Sequence, residues 1–359
     1  MARIIFHLGP GKCGSSAVQA FLRRAADAEN ACLDVEVPRP KDIVAMESGD
    51  CETVRRYAAR MARTAAPHLP LIISHEALFK KRDALLALVR AAREQGAETS
   101  ALAYARRTSD YLRSVHGQWL FREPVRIAET AGILRSHDID PMLFTGVERH
   151  LIAIALGHQD VGRDAGGYTT FDWSESMSQM AQMLGALDVP FAVGALPSRD
   201  AERPLLADFA ARIGIATDGR ALTDQALVNP AFDATVIEAV CNAIELGFAM
   251  PGRHEANRFL AAGDADVQAI PLPDPAFLTW LGDCIDTRFE PRNLRFAEAF
   301  GIDPAYFKPR KMRDPGDLAD RIQQETALRC KLPETERLAR IKARAEAMNR
   351  AWQRYRSGS

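Results

Sequence analysis

A short apolar strand, a glycine-bearing loop and an amphipathic helix follow one another within the first twenty-two residues, and this constrains the chain more than any other feature. Arg3-Ile4-Ile5-Phe6-His7-Leu8 has the unbroken apolar character of a buried strand. Gly9-Pro10-Gly11-Lys12-Cys13-Gly14-Ser15-Ser16 reads as the loop, and Ala17-Val18-Gln19-Ala20-Phe21-Leu22 opens the helix. Such a unit aims backbone N–H groups, a lysine and two hydroxyls at one point. The helix N-terminus adds partial positive charge there. The point is a ready site for phosphate or a similar anion.

The loop is not a Walker A motif, which places lysine directly after the second glycine. Here Ser15 follows Gly14, and the lysine comes earlier, at Lys12. The order G-x-x-K-x-G-S-S-x-x-Q-x-x-L resembles the 5′-phosphosulfate loop of sulfotransferases that use 3′-phosphoadenosine-5′-phosphosulfate (PAPS). Bacterial and carbohydrate-directed members read close to H-x-G-x-x-K-T-G-[ST]-[ST]. This chain matches at every position except Cys13, where threonine is usual.

The resemblance implies a P-loop-NTPase-like, three-layer α/β/α fold with a central parallel sheet; beyond it the sequence pattern itself reads as a mainly helical C-terminal region. It implies transfer of a sulfuryl group from PAPS to a hydroxyl or amine, with adenosine 3′,5′-bisphosphate released and no metal required. Gly11, Lys12, Cys13, Gly14, Ser15 and Ser16 would hold the 5′-phosphate, and Lys12 would also stabilise charge on the leaving oxygen. A second signature lies within Tyr104-Ala105-Arg106-Arg107-Thr108-Ser109-Asp110-Tyr111-Leu112-Arg113-Ser114. Sulfotransferases end a strand in arginine and place a serine eight positions later to bind the 3′-phosphate; Arg106 and Ser114 have that spacing, Arg107 does not. The third element is Ser74-His75-Glu76. Glu76 is the first candidate for the base that takes the acceptor's proton and His75 the second, with His7 behind them. His116 and Gln118, on the helix after Arg106, are weaker candidates. Arg310-Lys311-Met312 only faintly imitates the loop that closes over the 3′-phosphate in steroid and phenol sulfotransferases.

Periodicity supplies the rest. Strands are expected at Leu33–Val37, Leu71–Ser74, Ser100–Ala105 and Val189–Val193, alternating with helices over residues 15–28, 41–66, 83–95, 108–121, 172–184 and 205–213. Residues 123–167 read as irregular, with short helices near 140–144 and 147–154. Alternation of this kind marks a parallel, doubly wound sheet, whose ligands bind beyond the strands' C-terminal ends. The core is therefore expected over residues 1–216, where Tyr168–Trp173 and Asp208-Phe209 strengthen the resemblance. A helical region over 217–314, interrupted at Pro271–Pro275, would complete an acceptor cleft. A basic helical extension would follow over 315–359, its Arg337, Arg340, Lys342, Arg344 and Arg350 expected on a solvated helix.

Bulk properties bound the rest of the reading. The 359 residues carry a formal net charge of −1, so no global pull toward nucleic acid is expected. No apolar run approaches a membrane span or a signal-peptide core. Six scattered cysteines without a C-x-x-C pair read as reduced thiols, which points to a bacterial, cytoplasmic setting and to no zinc site. The acceptor is expected to be a carbohydrate, a lipid or a small metabolite; the oligomeric state is not legible. Two alternatives stand beside this reading: an ATP-dependent small-molecule kinase with a variant loop, and a non-catalytic nucleotide-binding scaffold. The kinase would call for an acidic residue at a strand end to order magnesium, and Ile72-Ile73-Ser74 ends in none.

Overall fold

The computed structural model describes residues 2–27, 31–64, 69–162, 170–197, 204–215, 232–250, 255, 258–260 and 274–358. The expectations that fall on Ala28, Ala66, Tyr168, Ala216–Asp218 and Pro271–Pro273 lie outside these residues. By internal contact the chain divides into two compact units. The first comprises residues 1–106, 172–230 and 292–306, the second 107–171, 231–291 and 307–359.

The first unit is an α/β structure. Its strands are β1 (Arg3–His7), β2 (Asp34–Glu36), β3 (Leu71–Ser74), β4 (Glu98–Ala105) and β5 (Phe191–Ala195). Among the described residues they form a five-stranded sheet of order β2-β3-β1-β4-β5, with every neighbouring pair parallel. The apolar runs explain the order of burial. All four residues of β3 and four of five in β1 are buried, as befits inner strands covered on both faces. The edge strands β2 and β5 are only partly buried. Pro190, which cannot donate to a ladder, precedes edge strand β5, and its carbonyl accepts from the Ala101 N–H at 2.8 Å.

The helices of this unit are α1 (Ser15–Ala26), α2 (Pro40–Glu47), α3 (Cys51–Thr64) and α4 (Arg82–Glu94), then, beyond residues of the second unit, α8 (Trp173–Gly185) and α9 (Leu205–Arg212). Register sets the geometry of the strand ends. His7 pairs with Ser74, so β1 and β3 end level, whereas His7 also pairs with Leu102. β4 therefore runs three residues further, roughly 10 Å at the usual strand rise. That overhang carries Arg106 past the end of β1 and alongside the loop.

The second unit is helical among its described residues: α5 (Thr108–His116), α6 (Pro124–Ser136), α7 (Gly146–Ala155), α10 (Ala234–Glu245), α12 (Asp317–Arg329) and α13 (Glu334–Ser357). The helix α11 (Pro275–Ala299) passes from this unit into the first, the boundary falling after Pro291. Two expectations are corrected here. Residues 124–136, read as irregular, form the full helix α6, started by Pro124 in its first turn. The C-terminal helix is not a solvated arm. Ile341 of α13 is buried, and Ala345, Met348, Ala351 and Trp352 are buried in a core shared with Val240 of α10 and Phe121. No helix among the described residues is long and apolar enough to cross a membrane.

Candidate functional site

The loop after β1 is shaped by glycines where a larger residue would be strained or crowded. Gly14, the N-cap of α1, has φ +86°, and a Cβ there would lie 2.4 Å from Leu205 Cδ2. A Cβ on Gly9 would lie 2.2 Å from Ser15 Oγ. Lys12 also takes a left-handed backbone, with φ +71°. A non-glycine residue there costs of order 1–3 kcal/mol and is found where surrounding structure enforces it. Part of that enforcement is visible: Arg106 donates from a terminal guanidinium nitrogen to the Lys12 carbonyl at 3.4 Å. The Trp173 indole donates to the Arg106 carbonyl at 2.6 Å, fixing the backbone that presents this arginine.

Two cationic residues thus meet where β1 and β4 end. The connection from β1 leads toward one sheet edge and that from β4 toward the other, so the loop occupies the switch point of the sheet, where α/β proteins bind ligands. The start of α1 suits an anion. Its N-cap is Gly14, which has no side chain to cap it, and the first turn contains no acid.

Within the loop the residues divide. Ser15 is buried and donates to the Pro10 carbonyl at 3.3 Å. Cys13 is fully buried, its N–H donates to the Pro10 carbonyl at 3.1 Å, and burial pushes its thiol up to about 12 against the opposing pull of Arg106. That burial keeps the thiol protonated. Gly11 is buried, while Lys12, Gly14 and Ser16 are half-buried.

Ser16 opens onto a cleft of about 530 Å³ that also takes Gln19 and Arg23 from α1, Arg39 beyond β2, and His75 and Glu76 beyond β3. The structure therefore brings Glu76 and His75 together with the start of α1. Gln19 ties α1 to the end of β3 by reaching toward the Ser74 carbonyl at 3.5 Å. His75 caps the short 3₁₀ turn Glu76–Phe79, its Nδ1 accepting the Ala77 N–H at 3.0 Å. A neutral ring with Nδ1 so engaged carries its proton on Nε2, and burial lowers its pKa. His75 thus offers the cleft a donor, not a base. Glu76 is half-buried at the cleft.

His7 lies under the loop. Its Nδ1 is 2.8 Å from Ser74 Oγ, its ring meets Phe209 edge-on at 5.2 Å, and its Nε2 has no hydrogen-bond partner. Burial holds its pKa down at about 3, so the ring is neutral. Sequence reasoning missed Trp173 as the support of Arg106; an aromatic opening a helix carries no signal for that role. It missed Arg39 and Arg23 as cleft residues because isolated arginines carry no sequence signal for lining a cleft.

Other expected residues belong to the second unit. Ser114 is half-buried on α5. Arg107 is held by Asp286 at 3.6 Å and by the Lys308 carbonyl. His116 is buried beside His150, and burial keeps its pKa well below the usual value. Gln118 is half-buried, and Arg310 lies 3.8 Å from Asp110. Among the described residues no group of three or more His, Cys, Asp or Glu is arranged to hold a metal. No family model matches the chain, and neither a curated protein nor a solved structure matches it.

Proposed function

We propose that the chain is a PAPS-dependent sulfotransferase with a P-loop-like first unit. The observation that carries this reading is the meeting of the Gly9–Ser16 loop with the Arg106 guanidinium at the switch point of a parallel sheet, beside a helix start whose N-cap is a glycine. The residues suit a phosphate: Gly9 and Gly14 let Ser15 and Leu205 pack directly against the loop backbone and hold its shape, and no acid sits in the first helical turn. PAPS would supply a sulfuryl group on a 5′-phosphate, which departs as adenosine 3′,5′-bisphosphate when the acceptor's oxygen or nitrogen bonds to sulfur.

Lys12, Ser16 and the N–H groups at the start of α1 hold the 5′-phosphate and stabilise the charge that grows on its bridging oxygen. Arg106 adds a second cation. Cys13 and Ser15 shape the loop from its buried side, so threonine is not needed at Cys13. Glu76 accepts the acceptor's proton at a carboxylate oxygen, and His75 Nε2–H orients the acceptor by donation. The cleft that carries Glu76 also carries Arg23 and Arg39, which favours an acceptor with polar or anionic substituents, such as a carbohydrate.

Thermal shift tests the reading. Adenosine 3′,5′-bisphosphate without metal should raise the melting temperature of the wild type and raise it far less in Arg106→Ala. A response to ATP with magnesium and none to the bisphosphate would replace the sulfotransferase with a kinase.

A further inference from the structure

The second unit contains a cavity of about 400 Å³, independent of the loop and cleft described above. Its volume lies within the roughly 300–1,000 Å³ of small-molecule sites. It is enclosed by residues 141–145, Arg149 of α7, α10, Asp274, residues 325–332 at and after the end of α12, and the first half of α13. The α13 contribution is periodic. Arg337, Arg340, Ile341 and Arg344 follow at spacings of three and four and share one helix face.

The lining has two characters. Leu143, Phe144, Leu328, Leu332 and Ile341 give it apolar walls. Leu328 and Leu332 stay 52% and 37% exposed, two of the few large apolar side chains left to solvent among the described residues. Basic side chains outnumber acidic ones in the lining, six to four. Most of the basic groups are engaged. Arg149 forms a two-pronged pair with Glu245, and Arg329 forms one with Glu148 at 2.8 Å. Arg337 holds Asp140 at 3.0 Å, and Arg340 holds Glu336 at 2.5 Å.

Arg344 differs from these. It is half-buried, its Nε donates to Asn242 Oδ1 at 3.3 Å, and among the described residues no carboxylate lies within ion-pair distance of it. Burial lowers its pKa, with Glu238 opposing and Arg340 reinforcing the effect. A guanidinium in that position presents a planar fork matched to a carboxylate. The carboxylates of Glu238, Glu245, Asp274 and Glu325 around the same space disfavour a dianion.

We propose that this cavity binds a small organic monoanion, a carboxylate on an apolar body, with Arg344 holding the carboxylate and Leu143, Phe144, Leu328 and Leu332 packing the body. The charge is met by one fork, and the hydrophobic walls set the size of the ligand. This site is separate from the donor loop, so it stands whether or not the protein uses PAPS.

Calorimetric titration of the full chain with octanoate, octanamide and octyl phosphate tests the proposal. Octanoate should bind with one-to-one stoichiometry at least tenfold more tightly than either of the others. Arg344→Gln should weaken octanoate at least tenfold. Leu328→Glu, at a position 52% exposed, should weaken it similarly by placing a negative charge at the mouth. Melting temperatures of both variants verify folding. Absence of octanoate binding to the wild type, equal binding of octanoate and octanamide, octyl phosphate binding as tightly as octanoate, or wild-type affinity in both variants would each overturn it.

Discussion

Acidification should loosen the first unit through His7. The ring is fully buried, and its pKa is lowered by burial from 6.5 to about 3. A folded-state pKa below the unfolded one means that the neutral ring's contribution to stability is present above pH 6.5. It is lost as pH falls from there toward about 3, because the unfolded chain takes up the proton first. Between pH 7.5 and pH 5 the pKa difference is expressed over about 1.5 pH units, about 2 kcal/mol at 1.36 kcal/mol per unit. The open population of the central strand should then rise about 30-fold. Hydrogen exchange read on a peptide covering β1 reports this unit directly, after correction for the intrinsic rate at each pH. In His7→Asn the amide replaces Nδ1 against Ser74 without a titrating ring, so this part of the pH dependence should vanish. An equal rise in the wild type and the variant would refute the reasoning.

Four further outcomes follow from the same geometry. Gly14→Ala should cost about 2–4 kcal/mol, read as a shift in urea midpoint, because it combines left-handed strain with a clash against Leu205. Cys13→Thr should cost about 1–3 kcal/mol by burying a hydroxyl, and should leave affinity for adenosine 3′,5′-bisphosphate unchanged in calorimetry. Ellman's reagent should modify the exposed Cys51 and Cys330 quickly while sparing the buried Cys13 and Cys241 in the native protein, as peptide mapping will show. Glu76→Gln should lower kcat about 10²–10⁴-fold in a sulfuryl-transfer assay while leaving bisphosphate affinity intact.

The parallel sheet was legible because its inner strands are short apolar runs bounded by breakers. Leu71–Ser74 lies directly after Pro70 and is buried throughout, and its limits are those read from the sequence. The loop was legible through Gly9 and Gly14, each required by a contact or a backbone angle. The helix α6 was hidden because its apolar residues do not gather on one face; only Glu123-Pro124 marked its start. The buried face of α13 was hidden by small residues. Ile341, Ala345, Met348 and Trp352 repeat at four-three-four spacing, but the alanines disguise the stripe among arginines. The division of labour between His75 and Glu76 depends on a capping bond from Ala77 to the ring, a matter of local dihedrals that residue identity does not express. The support of Arg106 by Trp173 joins residues 67 positions apart and has no local signature.

Calorimetric titration of adenosine 3′,5′-bisphosphate into the wild type and Lys12→Ala tests the central claim most directly. The account predicts one site in the wild type and an affinity weakened about 10- to 100-fold in Lys12→Ala, as befits loss of one hydrogen bond to a charged phosphate worth about 1.5–3 kcal/mol. No binding to the wild type, or the same dissociation constant in both proteins, would contradict it.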